Sequence, residues 1–338
     1  MKRLIRVLVV IAFAFSACNE SIPEKKVLRA VYVAGREGGV AKYWKNGVAT
    51  SLTNGVNSAS ANSIFVSGHD VHVVGSESNG RNAIAKYWKN GNVTDLTDGS
   101  SSATASSVFV DGSDVYVAGY VDNAAVCWKN GIPTVLADAG WARSIFVSEG
   151  DVYVAGYSAD TEKHYATYWK NDIATKLSED YDGSGFAQSI FVDGSDVYVS
   201  GDLIPDGEMG HATYWKNGIA TDLSGGAGWS DATSIFVKGS NVHVTGWSNG
   251  DLTFRAQYWK NGNSTSLYED EDALGVGNSI FVSGSDVYIA GWEGDFAKYW
   301  KNGVPISLTD GESGACAESI FVTGGTPTDY ATSEGGSR

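Results

Sequence analysis

Aromatic and acidic side chains gather in the parts of this chain that vary most, and together they have the chemistry to hold a hydroxyl-rich ligand. Tyr120, Tyr157, Trp247 and Trp292 each follow a glycine at the end of a β-rich run, and Trp141, Phe186 and Trp229 each follow a glycine ahead of the next run. Flat aromatic faces offer apolar platforms and carboxylates accept hydroxyl hydrogen bonds, a combination that suits a sugar or a basic protein loop. The carboxylates of the same segments are Asp160, Glu162, Glu179, Asp180, Asp182, Asp202, Asp206, Glu208, Asp251 and the run Glu269, Asp270, Glu271, Asp272. Two of them at the right separation would instead serve a polysaccharide lyase or a glycoside hydrolase, and sequence does not measure that separation.

No nucleophile triad, phosphate loop or zinc-ligand spacing accompanies these residues, so no catalytic residue, metal or cofactor is assigned. The segment Asp180-Tyr181-Asp182-Gly183-Ser184 resembles an oxygen-ligand calcium loop but lacks the downstream bidentate glutamate. Gly-Ser-Asp recurs at 112–114, 194–196 and 284–286, and its repetition points to turn chemistry rather than to one catalytic centre. His72 and His243 fall in a slot that holds Tyr32, Tyr116, Tyr153, Tyr198 and Tyr288 in other copies, which predicts packing roles. His69 reads as a solvated turn residue, and His164 and His211 have no partner at metal-ligand spacing. Cys127 and Cys316 fall in different copies, and Cys127, standing where other cassettes carry Tyr or its equivalent, reads as a buried free thiol.

The elements that must position these groups come from a repeat. Trp44, Trp88, Trp128, Trp169, Trp215, Trp259 and Trp300 recur in one cassette at a period of about 44 residues, the mark of a solenoid or a propeller. Each unit divides into four short β candidates, for example Ser234–Val237 (a), Val242–Gly246 (b), Ala256–Trp259 (c) and Ser264–Leu267 (d). Lys-Asn-Gly links c to d in six copies and Asn171-Asp172 replaces Asn-Gly in the fourth, a strong two-residue hairpin signal. The chain opens on a strand b at Val31–Gly35 and closes on a strand a at Ser319–Val322, so the last strand completes the first unit. A seven-bladed β-propeller of four-stranded blades follows, all-β, with the tryptophans between blades. The a-to-b and c-to-d turns must then share one end, leaving the variable b-to-c and d-to-a connections, with their aromatics, to ring the other.

The cassette resembles the HAF family of probable extracellular repeats, in which His-Ala-Phe-Leu-Trp precedes a glycine turn and a Thr-Asp-Leu-like strand. The copy most like it runs from His211 to Leu223, His-Ala-Thr-Tyr-Trp-Lys-Asn-Gly-Ile-Ala-Thr-Asp-Leu, and Val154–Ser158 is similar to that family's Val-Val-Gly-Tyr-Ser. Ser-Ile-Phe-Val stands where the family has Ala-Ile-Asn. The resemblance implies an extracellular repeat protein and names no reaction.

The N-terminus agrees with export. A basic start, Met1-Lys2-Arg3-Leu4-Ile5-Arg6, precedes the apolar run 7–15 and Ser16-Ala17-Cys18, which reads as a lipoprotein-type signal over 1–17 with Cys18 lipidated. Residues 18–27 then form a tether, 28–323 the propeller and 324–338 a flexible tail, with plain secretion the outcome if Cys18 is not lipidated. The formal charge is −15, three units more negative without Lys2, Arg3 and Arg6, which argues against nucleic acid as a partner. The expectation is a monomeric, non-enzymatic binding module anchored by lipid at the bacterial cell envelope and presenting its variable loops to a polysaccharide or an envelope protein. A lyase or hydrolase, or a purely structural envelope protein, is the alternative.

Overall fold

The protein, seen in a computed structural model, is a closed ring of seven four-stranded antiparallel blades. The structure describes residues 29–226, 228–249, 253–268 and 273–324. Cys18, the signal, the tether and the tail beyond residue 324 lie outside the described residues, as do Asp251 and the run 269–272. Blade 6 shows the plan, with strands a at Ser230–Lys238, b at Asn241–Asn249, c at Phe254–Lys260 and d at Asn263–Ser266. Blade 1 is closed as expected, because its strand a, Ala315–Thr323, pairs with its strand b, Ala30–Glu37. A ring closed in this way hides the sheet edges that an open array would present.

Each residue of the Ser-Ile/Val-Phe-Val core of strand a has a separate task around the axis. The Ser hydroxyls accept hydrogen bonds from the backbone N–H of the following blade's Ile or Val, as Val108 to Ser63, Ile190 to Ser144 and Ile64 to Ser319 show. Seven such bonds of 3.2–3.4 Å run the whole way round, so no blade joins its neighbour by apolar packing alone. One residue further on, Phe65, Phe109, Phe146, Phe191, Phe236, Phe281 and Phe321 touch in a closed cycle with ring centroids 4.7–5.2 Å apart. This cycle plugs the axis. The seven cassette tryptophans are each at most 2% exposed and fill the spaces between sheets.

The end that carries the a-to-b and c-to-d turns is built from the repeat itself. Asn46, Asn90, Asn130, Asn171, Asn217, Asn261 and Asn302 all adopt φ near +50°, which the two-residue c-to-d turn demands. Each also accepts, through Oδ1, the backbone N–H of the second residue of strand b at 2.8–2.9 Å. The Asp of Gly-Ser-Asp completes the corner. Asp196, for example, takes Lys216 Nζ at 2.7 Å and Asn217 Nδ2 at 2.8 Å, so this motif is turn chemistry, as its repetition implied.

The same lysine and asparagine partners hold the carboxyls of Asp70, Asp114, Asp151 and Asp196 below the usual carboxylate range. A depressed folded value means that their contribution is complete above about pH 4 and is lost as acid protonates them. Melting followed from pH 5 to pH 2 should therefore fall steeply for the wild type and less steeply for an Asp114→Asn, Asp151→Asn, Asp196→Asn variant. Parallel curves would show that these corners add nothing.

His72 and His243 are buried, as their register predicted, and each places Nδ1 2.7 Å from a tyrosine hydroxyl, of Tyr87 and Tyr258 respectively. Burial lowers both, His243 to about 4, so they are neutral at physiological pH. Cys127 and Cys316 are buried free thiols, and burial pushes Cys127 up to about 12. A thiol so held is not a nucleophile.

Candidate functional site

Strand a is longer than the four-residue core that marks it, and the extension builds the opposite end of the ring. In blade 2 the strand runs Ala59–Ser67, with Ala61 opposite Gly75 and Ser63 opposite Val74, so that Asn62 is an extra residue. The same β-bulge occurs in every blade and gives the inner strand a local bend. Its extra residues are Glu318, Asn62, Ser106, Arg143, Gln188, Thr233 and Asn278 in blades 1 to 7. The type differs from blade to blade but is always polar.

These side chains reach from blade to blade. Asn62 Nδ2 donates to the Ala105 carbonyl at 2.9 Å, and Asn278 Nδ2 donates to the Ala317 carbonyl at 3.0 Å and to Glu318 Oε2 at 3.2 Å. Arg143 donates to Gln188 Oε1, and Gln188 Nε2 donates to Asp231 Oδ2 at 3.2 Å. The indole of Trp141 donates to Ser106 Oγ at 2.8 Å.

Two outer positions per blade then decide how full this end is. They are the residue after the strand-b glycine and its cross-strand partner: Arg36 and Cys316, Ser76 and Ser60, Tyr120 and Thr104, Tyr157 and Trp141, Asp202 and Phe186, Trp247 and Asp231, Trp292 and Val276. Large side chains crowd blades 4 to 7. Serine and threonine leave blades 2 and 3 open, and there a cavity of about 400 Å³ lies off the axis. Arg36, Ser60, Asn62, Ser76, Thr104, Ser106, Trp141, Arg143 and Glu318 line it.

The seven aromatics expected at this end do reach it, but in an arc over blades 3 to 7 rather than a ring. Trp141 and Phe186 belong to strand a instead of preceding it, because the bulge interrupts the alternation by which a strand is read. Tyr120 meets Trp141 edge-on at 4.6 Å, and Tyr157 meets Phe186 and His164, each at 5.1 Å. Trp229 and Trp247 contact each other at 5.7 Å, with Phe254 against both. Trp292 is half-buried in blade 7. Only Trp141 of the seven lines the cavity.

The carboxylates disperse. Asp160 closes its own turn, accepting the Tyr165 hydroxyl and the N–H groups of Lys163 and Glu162, which draw it down to about 2. Glu162, Glu179, Asp180, Asp182, Asp206 and Glu208 are exposed. At the calcium-like segment Lys163 Nζ donates hydrogen bonds to the carbonyl of Tyr181, within it, and to that of Glu179, just before it. Asp202 alone is buried, at 6% exposure, and burial together with Asp231 raises its carboxyl well above the usual range. Burial pushes Asp231 up to about 6, opposed by Arg143.

A raised folded value reverses the sign found at the corners. The folded state holds protons that the unfolded chain has released, so stability falls as pH rises from about 4 through about 6. Asp202→Asn should flatten that limb and raise the melting temperature at pH 8 above the wild type's. An unchanged profile would mean that the two carboxyls do not interact.

The lining residues other than Trp141 escaped the sequence reading, although one signal was present. The residue before the Ser of each Ser-Ile/Val-Phe-Val changes in identity and stays polar, whereas a core strand should alternate. Models of known protein families and the curated proteins were both searched, and neither contains a match to this chain.

Proposed function

We propose that the chain is a non-enzymatic binding module of the bacterial envelope, a HAF-type extracellular repeat protein that takes a polysaccharide segment into the cavity over blades 1 to 4. The observation that carries this reading is the division of labour between the two ends. Turns, serines and phenylalanines repeat from blade to blade, while the polar residues around a 400 Å³ cavity do not. Concave sites of that size with a few converging polar groups and an aromatic wall are the usual form of small-ligand sites. The cavity's hydroxyls, amide and indole match the hydroxyls and the flat apolar faces of sugar rings. Entry of the chain supports presentation away from an anchor: strand b of blade 1 starts at the opposite end, where Arg29 pairs with Asp286 at 3.0 Å. A lipid on Cys18 would thus hold the cavity outward.

The test is a glycan and envelope-protein binding screen on the soluble propeller. Saccharide binding that weakens at least about tenfold in Trp141→Ala, roughly the 1.4 kcal/mol scale of one aromatic platform, is the expected result. Binding of proteins alone, or saccharide binding indifferent to Trp141, would count against the reading.

One observation favours a second reading, glycoside cleavage. Asp202 and Asp231 form an interacting carboxyl pair with raised proton affinity, the property a general acid needs. Turnover of a polysaccharide by the wild type, lost in both Asp202→Asn and Asp231→Asn, would establish it over simple binding. A purely structural envelope protein would show neither binding nor turnover.

A further inference from the structure

We infer that the cavity selects acidic saccharides, meaning sugars that carry a ring carboxylate, over their neutral counterparts; this rests on the cavity being the ligand site. Arg36 in blade 1 and Arg143 in blade 4 line it, against one lining carboxylate, Glu318, and Arg143 also acts electrostatically on the buried carboxyls of Asp202 and Asp231 behind it. Among the described residues neither arginine has a carboxylate at ion-pair distance.

The two cations differ in how they are held. Arg143 is fixed, with its guanidinium 5.0 Å from the Trp141 ring and 5.6 Å from the Tyr157 ring, and with one terminal nitrogen on Gln188. Arg36 is exposed at the cavity wall. A guanidinium donates only and matches a carboxylate with two parallel N–H bonds, so this pair reads as a receptor for an anionic group.

The rest of the lining decides what bears the charge. Glu318, oriented by Asn278, offers acceptor oxygens, and its carboxylate would repel a bare phosphate or sulfate. A ligand that satisfies both arginines and Glu318 must combine an anion with hydroxyl donors. Uronic acid sugars do so on one ring: the carboxylate meets a guanidinium, the hydroxyls meet Glu318, Asn62 and the serine and threonine hydroxyls, and the ring face meets Trp141. Simple anions lack the hydroxyls and neutral sugars lack the carboxylate.

The experiment is calorimetric titration of the soluble propeller with galacturonate, glucuronate and mannuronate disaccharides, each beside the neutral disaccharide of the same linkage. At least one acidic disaccharide should bind at least tenfold tighter than its neutral counterpart in 20 mM salt, and that margin should shrink in 500 mM salt. Arg36→Gln, checked for an unchanged melting temperature, should shrink that margin at least about threefold by weakening acidic binding more than neutral binding. Equal binding of acidic and neutral sugars, or a margin untouched by Arg36→Gln, overturns the inference and leaves the saccharide reading standing. Inorganic sulfate competing as well as a uronate does the same, because it reduces the site to an anion trap. Binding of none of the sugars overturns both.

Discussion

Gly201→Ala should cost at least about 3 kcal/mol and leave a protein that unfolds at much lower urea concentration than the wild type. A methyl group at Gly201 would lie 1.9 Å from the Phe186 carbonyl oxygen and 2.9 Å from its carbon. Both contacts are with backbone, so no rotamer change relieves them. The cause is the bulge, whose inner strand bends towards strand b and brings the carbonyl before the bulge onto the glycine. A methyl group at Gly35, Gly75, Gly119, Gly156, Gly246 or Gly291 would likewise lie 1.9–2.0 Å from the corresponding carbonyl oxygen, so every blade carries the same requirement. Equilibrium urea unfolding checks it, and a loss under 1 kcal/mol would mean that the bulge is not as drawn.

Trp215→Ala should destabilise by about 3–5 kcal/mol, the range for removing a fully buried aromatic from a core. Trp215 is 1% exposed, on the strand between b and d of blade 5, and pairs across to Val199. Its loss opens a void between two sheets, and the strand pairing that closes the ring in blade 1 limits how far the blades can move together to fill it. Thermal and urea unfolding should shift together. A small shift would place the tryptophans outside the structural core and reopen a functional role for them.

Legibility followed physical constraint. The c-to-d turns were plain because positive φ at Asn46 and its counterparts limits the residue choice. The closure was plain because strand counts balance only if Ser319–Val322 joins the first blade. The interior packing of the tryptophans followed from their recurrence at one register, and it holds at Trp44 and Trp300 alike. The Phe cycle was not foreseen, because seven rings meeting on an axis is a property of the assembled ring and not of one repeat.

The site was harder to read for a related reason. Trp141 was picked out by its type, yet Asn62, Ser106, Arg143 and Glu318 stand out only once the bulge is known, since an extra residue in a strand has no local sequence signature beyond its polarity. Ser60, Ser76 and Thr104 matter because they are small, and a cavity left by missing bulk is not visible in a list of reactive residues. Of the loop carboxylates, Asp160 spends its oxygens on its own turn, which a list of acidic positions does not show.

The most direct test of the account is saccharide binding by a variant whose cavity is filled. Ser60→Tyr adds bulk at a half-buried lining position without touching the serine, phenylalanine or tryptophan layers. Titration of both proteins with the saccharide that the wild type binds best should show affinity lost at least about a hundredfold in the variant, with melting temperature little changed. Undiminished affinity in a folded Ser60→Tyr protein would contradict the claim that this cavity is the binding site.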